Sequence, residues 1–213
     1  KIAEGCDHPC GFCIIPQLRG KFRSRRMSSI ITEAENLIAQ GVREITLIGQ
    51  DTTCYGEDLG ISDGLATLLD AVAVLPGLRW LRFLYAYPNK VTTRLLDTIA
   101  KHDTIAKYLD VPLQHASPSV LKRMKRGGTP DHFLKLIEKA RATVPGIVLR
   151  STLSSASPVR PKLTTSSSKP LFARRRSTGS ASSPTPTKRA QPPTTCPLKS
   201  RFRSAPSSPA AAS

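Results

Sequence analysis

Three cysteines near the start of the chain, Cys6, Cys10 and Cys13, constrain this sequence more than any other feature. Their CxxxCxxC spacing, with an aromatic residue before the last cysteine, lets three thiolates converge on one soft metal centre. A disulfide framework would leave one of them unpaired. A structural zinc ion needs four ligands, and His8 is close enough in sequence to be the fourth. A cubane iron–sulfur cluster usually takes four cysteines, so three would leave one iron open.

The three-cysteine motif resembles that of the radical S-adenosylmethionine (SAM) enzymes. The resemblance implies that Cys6, Cys10 and Cys13 hold a 4Fe-4S cluster, and that the amino and carboxylate groups of S-adenosylmethionine chelate its open iron. The three cysteines are then both the metal ligands and the cofactor-binding residues. A zinc site completed by His8 is the alternative.

Charge is distributed unevenly along the 213 residues. Residues 1–150 hold 21 Lys and Arg and all 15 Asp and Glu, whereas residues 151–213 hold 11 Lys and Arg and no acid. The net charge of +17 is therefore mostly a property of the tail, and it does not identify a nucleic-acid-binding domain.

Compartment and redox state follow from what the sequence contains. It has no run of 18 apolar residues and no signal-peptide pattern, so we expect no membrane span and a cytoplasmic location. Clustered cysteines without a secretion signal favour metal chemistry in a reducing compartment. Cys54 and Cys196 are isolated and receive no role. Since the first residue is not methionine, we expect a fragment of a longer protein.

Strand and helix patterns alternate along residues 1–150. The strands are predicted near Lys1–Ala3, at 44–48, 80–85, 108–111 and 147–149. The helices are predicted at about 28–40, 63–75, 92–101, 119–125 and 130–143. Ser28 or Ser29 is expected to cap the first helix and Thr92 the third, and the second should bury Leu65, Leu68, Leu69 and Val72 on one face. Such alternation implies βαβ units and a parallel sheet. The periodicity fits a doubly wound sheet equally well, but the cysteine loop after the first strand favours an α/β fold with a truncated, partial parallel (βα) barrel.

Polar residues follow two of the predicted strands, at Gly49–Thr53 and Pro112–Ser117. Ligands bind at this end of parallel strands, although ordinary turns have the same composition. His115 is either a structural histidine or a substrate contact. Five cations between Arg19 and Arg26 form either a solvated basic loop or a site for the carboxylate of S-adenosylmethionine or an acidic protein.

Further motifs resemble the methylthiotransferase family, and within it the ribosomal-protein branch. They are Lys1–Cys6, Cys13–Pro16, Leu18–Gly20, Gly49–Thr52, Asp110–Ser117 and Lys122–Arg126. The sister branch, which modifies an adenosine in tRNA, differs at the loops after Gly49-Gln50 and at Gln114–Ser117. A third hypothesis is a non-catalytic, zinc-stabilised domain with an RNA-binding arm.

The resemblance implies a specific chemistry. An electron from a donor reduces the cluster, S-adenosylmethionine is cleaved to a 5′-deoxyadenosyl radical, and a methylthio group is added to the β-carbon of an aspartate of a small-subunit ribosomal protein. The family also has an upstream domain that carries an auxiliary cluster and a downstream β-barrel, neither of which is found in this sequence. We therefore expect the fragment alone to be incomplete.

The division into domains follows from the tail. Residues 1–152 are predicted to be the incomplete radical SAM core, and 153–213 a disordered basic tail with 16 Ser and 10 Pro among residues 151–213. The family continues at this point with Thr-Phe-Ile-Val-Gly-Phe-Pro-Gly-Glu-Thr-Glu-Ala-Asp. Deleting one base from the first Phe codon of a GC-rich coding sequence for that peptide shifts the frame, and the shifted codons encode the sequence of Thr152–Leu163. We interpret the tail as a frameshift product.

Overall fold

The computed structural model describes residues 1–154 and the backbone of residues 180–183. These residues form seven strands: β1 (Ala3–Glu4), β2 (Arg23–Ser24), β3 (Glu44–Leu47), β4 (Trp80–Phe83), β5 (Tyr108–Asp110), β6 (Val148–Ser154) and β7 (Ser180–Ser183). They also form six α-helices: α1 (Ile15–Arg19), α2 (Met27–Ala39), α3 (Gly64–Ala73), α4 (Thr93–Lys101), α5 (Pro118–Arg123) and α6 (Pro130–Thr143). Within these ranges no helix is long and apolar enough to cross a membrane.

The parallel strands neighbour one another in chain order. β3 pairs with β4 and β5 with β6, both parallel. β4 and β5 are linked by a bridge between Leu81 and Ile105 and by the hydrogen bond from Ala86 N to Asp110 O at 2.9 Å. The first strand joins β3 through Ile2 N and Ile48 O at 2.9 Å. A doubly wound sheet would reverse its strand order at a switch point, so this order confirms the partial parallel (βα) barrel.

The core lies between the sheet and the helices that connect its strands. α3 buries one face, and Thr92 caps the start of α4, because its hydroxyl accepts from Leu95 N at 3.1 Å, as predicted. Side chains less than 2% exposed include Tyr55, Phe83, Phe133, Leu68, Leu69, Leu81, Leu96, Ile99 and Leu109. This core fixes the carboxyl ends of the strands, where the cysteine loop packs.

Several predicted boundaries differ from the structure. α2 begins at Met27, preceded by Arg26 in an extended conformation without a side-chain cap, so the predicted serine cap is wrong. The predicted strand at 147–149 is longer, and β6 extends to Ser154. α1 and β2 are absent from the prediction because elements of five and two residues give no readable periodicity.

The tail prediction falls mostly outside the described residues, which exclude 155–179 and 184–213. Within the tail, β7 pairs in parallel with residues 151–154 of β6. The sequence did not predict this strand. Cys196 also lies outside the described residues.

Candidate functional site

The cysteine loop, residues Gly5–Ile14, leaves β1 through a glycine that no other residue can replace without strain. Gly5 has φ of +79°, and a Cβ built there would lie 2.1 Å from Lys21 O. The next residue, Cys6, donates its N–H to Gly20 O at 3.3 Å. The close approach of two backbone segments therefore sets the direction in which the loop begins.

The far side of the loop rests against the C-terminal end of α5. Gly11 N donates to Met124 O at 2.8 Å, and Cys13 N donates to Cys10 O at 3.1 Å, which closes a turn around the second and third cysteines. All three cysteines of the motif are free thiols of intermediate exposure. The loop thus presents three sulfurs that a metal centre can reach.

His8 anchors the middle of the loop. Its Nε2 donates to Asp51 Oδ2 at 2.6 Å, and its ring stacks on Tyr87 with centroids 3.9 Å apart and an interplanar angle of 11°. Asp51 follows β3 and Tyr87 follows β4. Two strand ends therefore hold one loop side chain, in agreement with the prediction that functional groups collect at the carboxyl ends of the strands.

Asp51 is the centre of a buried hydrogen-bond network. It is only 3% exposed, and it also accepts from Thr53 N at 2.9 Å, Thr53 Oγ1 at 2.5 Å and Cys54 Sγ at 3.1 Å. Burial alone raises the pKa of the Asp51 carboxyl, but the hydrogen bonds from His8, Thr53 and Cys54 outweigh it and leave the pKa lowered. The network therefore holds a buried negative charge beside the cysteine loop.

The thiols next to this charge are harder to ionise. Burial, and then the charge of Asp51, raises the pKa of the Cys54 thiol. Burial also raises the pKa of the Cys6 thiol, while a backbone hydrogen bond from His8 lowers it. The charges of Asp51 and of the other two cysteines of the motif raise it further, so the pKa is raised overall. A bound cation would offset this repulsion, because thiolates are the form that binds metals.

A cavity of about 290 Å³ opens beside the loop. Its lining combines groups from the loop, from the segment after β3 and from the turn near Lys90. The lining residues are Cys6, Asp7, His8, Phe22, Asp51, Cys54, Glu57, Asp58 and Lys90. A polar ligand bound there would contact the first cysteine of the motif.

Two sets of side chains could in principle hold a metal. Among the described residues, His8, Asp51 and Cys54 form a group whose ligand atoms all lie within 4.8 Å of one another. These three already satisfy each other, because His8 and Cys54 both hydrogen-bond to Asp51 Oδ2.

Among the described residues, the sulfurs of Cys6, Cys10 and Cys13 do not all lie within 4.8 Å of one another. Sulfurs on one zinc ion would be about 4 Å apart, given zinc–sulfur bonds of about 2.3 Å in a tetrahedron. More widely spaced thiols suit the larger cubane, and three soft donors on one loop match its preferred ligands. The donor set therefore fits a cluster with one iron left for another ligand, whereas the predicted zinc alternative loses His8 to Asp51.

In the second strand-end segment, Pro112–Ser117, the histidine has a structural role. His115 is 1% exposed, and its Nδ1 accepts from Ser117 N at 2.8 Å, just before α5 begins. Gln114 has φ of +68° and exchanges backbone hydrogen bonds with Thr152 and Ser154, at 2.9 and 2.8 Å. These contacts favour the structural interpretation of His115.

Two of the five basic residues after the loop form surface ion pairs. Arg19 Nη1 lies 3.6 Å from Glu4 Oε1, and Arg25 Nη1 lies 2.5 Å from Glu33 Oε2. Both arginines thus have acidic partners within the chain. Ile14, at the end of the loop, is 53% exposed, so the described residues do not bury this side of the loop.

Sequence reasoning missed three residues of the site. Cys54 received no role, Tyr87 was not singled out, and Arg126, which donates to Cys10 Sγ at 3.8 Å, was noted only as part of a motif. The available signal was position: Cys54 and Tyr87 each lie shortly after a predicted strand, where loop residues of a parallel sheet converge.

The fold and the three-cysteine loop are those of one class of enzyme. A model of the Radical SAM superfamily matches residues 1–154, and the chain belongs to that superfamily. Solved structures agree on the fold. A radical S-adenosylmethionine methyltransferase, TsrM from Kitasatospora setae, matches with a TM-score of 0.69 at 20% identity, over 86% of this chain and 35% of that one. SuiB from Streptococcus suis matches with a TM-score of 0.59 at 16% identity, over 84% and 37%.

The curated relatives are more specific. The chain is 66% identical over 154 residues to the ribosomal protein uS12 methylthiotransferase RimO of Solibacter usitatus (strain Ellin6076), covering 71% of this chain and 33% of that protein. The protein of the same name from Koribacter versatilis (strain Ellin345) is 66% identical over 152 residues, covering 71% and 30%. The chain thus spans about a third of the length of these relatives.

Proposed function

We propose that this chain is the radical SAM core of a methylthiotransferase that modifies ribosomal protein uS12. The modification adds a methylthio group to the β-carbon of an aspartate. The observation that carries the proposal is the 66% identity to uS12 methylthiotransferases over the part of the chain that contains the three-cysteine loop. A ribosomal-protein substrate supports the expected cytoplasmic location.

Cys6, Cys10 and Cys13 would hold a 4Fe-4S cluster and, through its open iron, S-adenosylmethionine. When bound, these two groups supply a radical able to activate an unreactive carbon–hydrogen bond. The chain's own residues position the loop: Gly5 sets its entry, Gly11 docks it on Met124, and His8 ties it to Asp51. The adjoining 290 Å³ cavity gives the sulfonium cofactor room beside Cys6.

The complete reaction needs partners beyond these residues. An electron donor must reduce the cluster, and the inserted sulfur must come from an auxiliary cluster, which the family carries in a separate domain. Cleavage of S-adenosylmethionine is therefore the activity expected of this chain, and methylthiolation that of the full-length protein.

Anaerobic reconstitution of the 213-residue chain with iron and sulfide tests the cofactor. We expect broad absorbance at about 400 nm, typical of a cubane cluster, and 5′-deoxyadenosine on addition of dithionite and S-adenosylmethionine. Cys13→Ala should lose both, while Cys196→Ala serves as the matched cysteine control. Tight zinc binding without this absorbance would contradict the proposal.

The substrate is tested separately with the full-length gene product. It is incubated in parallel with uS12 and with tRNA, and both are analysed by mass spectrometry. We expect a methylthio group on an aspartate of uS12. A methylthio group on a tRNA adenosine instead would assign the protein to the sister branch.

We further propose that a single-base frameshift in the coding sequence, at about the codon for Leu153, takes the chain out of the family's reading frame. The end of the family match at residue 154 supports this, as does the agreement between Thr152–Leu163 and the shifted codons. Resequencing the gene decides the matter. A restored frame should continue with the glycine-bearing strand of the family, and an unbroken frame that encodes the serine-rich tail would contradict the proposal.

A further inference from the structure

We propose that Arg126 is a positioning residue that hydrogen-bonds the iron–sulfur cluster through Cys10 and raises its reduction potential. This inference rests on the proposed function, since it requires a cluster on the three cysteines. Arg126 Nη1 donates to Cys10 Sγ at 3.8 Å, and Nη2 donates to Pro112 O at the end of β5. One guanidinium therefore joins the cysteine loop to a strand end that lies far away in sequence.

The backbone around Arg126 is fixed by the way α5 ends. Lys125 adopts φ of +51°, Lys125 N donates to Lys122 O at 3.0 Å, and Arg126 N donates to Leu121 O at 2.9 Å. This pair of bonds is a Schellman motif, which closes a helix C-terminus in a defined geometry. Leu121 and Met124 are 1% and 0% exposed, so the motif is anchored in the core.

The guanidinium plane is held by an aromatic ring. Arg126 Cζ lies 4.8 Å from the centroid of the Tyr87 ring, and Gly127 N donates to the Tyr87 hydroxyl at 3.3 Å. Tyr87 is also the ring on which His8 stacks. A single tyrosine therefore contacts the side chains that hold two positions of the loop, which restricts the motion of Arg126 relative to Cys10.

One donor of the guanidinium has no acceptor within the described residues. Arg126 Nε is buried and makes no hydrogen bond there, which is unfavourable for a buried donor. An electron-rich group bound by the cysteines would provide acceptors on this side of the loop. The unsatisfied donor is thus an observation, separate from the contact with Cys10, that points to a negatively charged ligand.

The expected effect on the cluster follows from charge. Reduction adds a negative charge to the cluster and its thiolates, so a fixed cation that donates to one of the sulfurs stabilises the reduced form more than the oxidised form. Arg126 should therefore raise the potential. Without it, the cluster should be harder to reduce.

The experiment measures the reduction potential of the reconstituted full chain by a redox titration followed by electron paramagnetic resonance. For Arg126→Met, we expect the reduced-to-oxidised ratio at a fixed potential to fall about tenfold, which for one electron is a shift of about 59 mV to more negative values. Arg126→Lys should shift the potential less than Arg126→Met does, because lysine keeps the positive charge but lacks the two donor nitrogens of the guanidinium fork. Lys122→Met, which removes an exposed cation from α5 just before Arg126, should leave the potential unchanged.

The outcomes separate the two proposals. If the unsubstituted chain assembles no cluster, the proposed function fails. If clusters form with equal potentials in the unsubstituted chain and in Arg126→Met, the cluster assignment stands and the role of Arg126 is overturned. If Arg126→Met assembles no cluster, Arg126→Lys decides: a more negative potential than that of the unsubstituted chain supports the role, and an identical one overturns it.

Discussion

His8 Nε2 and Asp51 Oδ2 lie 2.6 Å apart although 43 positions separate the two residues in the chain. The contact joins the middle of the cysteine loop to the segment after β3. Because Asp51 is 3% exposed and accepts from His8, Thr53 and Cys54, the loop is held by a carboxylate that cannot exchange these partners for water.

Replacing Asp51 should destabilise the fold. Asp51→Asn removes a charged acceptor and leaves donors unsatisfied, so we expect the free energy of unfolding to fall by about 1–3 kcal/mol. Urea denaturation measures this, and Asp97→Asn, at an exposed position on α4, is the matched control. Equal stability of both variants would show that the network contributes nothing.

The same carboxylate should make stability depend on pH. Its pKa is lowered in the folded state from 3.8, so its contribution is fully present above about pH 4 and is lost as the pH falls through the lower folded value. The stability difference between the unsubstituted chain and Asp51→Asn should therefore shrink on acidification. A difference that grows as the pH falls below 4 would contradict the direction of the shift.

Gly5 and Gly41 form a matched pair for testing the entry to the loop. Both have positive φ, +79° and +95°, but a Cβ on Gly5 would lie 2.1 Å from Lys21 O, whereas one on Gly41 meets nothing within 4 Å. Gly41→Ala should cost about 1–2 kcal/mol from backbone conformation alone. Gly5→Ala should cost more and should also reduce iron incorporation, because the loop must move. Similar melting temperatures for the two variants would rule out the close approach at Gly5.

Cys54 should react slowly with alkylating agents. Burial and the Asp51 charge raise the pKa of its thiol, and the thiolate is the nucleophile. Iodoacetamide labelling at pH 8, followed by peptide mapping, should show a rate well below that of free cysteine. Asp51→Asn removes the charge and should accelerate the reaction. Labelling at the rate of free cysteine in the unsubstituted chain would be inconsistent with this environment.

Lys107 should stabilise the end of α4. Its ammonium donates to Ile99 O at 2.5 Å, Ala100 O at 3.2 Å and His102 O at 2.9 Å, where a helix leaves carbonyls without partners. Lys107→Met should lower the free energy of unfolding by about 1–3 kcal/mol. Lys101→Met removes an exposed cation from the same helix and should change it by less than about 1 kcal/mol. Thermal unfolding of both variants compares the two lysines.

The sequence predicts those parts of the fold that leave a local pattern. The threonine cap of α4 and the apolar face of α3 are each readable within one or two turns, and the structure confirms both. The fold class and the superfamily were also predicted correctly, because the cysteine spacing is itself a local pattern. α1 is too short for such a pattern, and the extended Arg26 replaces the expected serine cap of α2.

The surroundings of the cysteines could not be predicted in this way. Arg126 meets Cys10 across 116 positions, and the contact depends on where the strand ends converge and on how α5 closes. Tyr87 likewise becomes important only because His8 and Arg126 reach the same ring. Local periodicity carries no information about contacts between residues that are far apart in the chain.

The docking of Gly11 on Met124 has a consequence for biogenesis. The cysteines of the loop leave the ribosome before the backbone acceptor that orders the loop, because Met124 is made more than a hundred residues after Gly11. The nascent loop therefore lacks the hydrogen bond to Met124 O until α5 has emerged. Loading of iron and sulfide into an ordered loop would then come after the synthesis of α5.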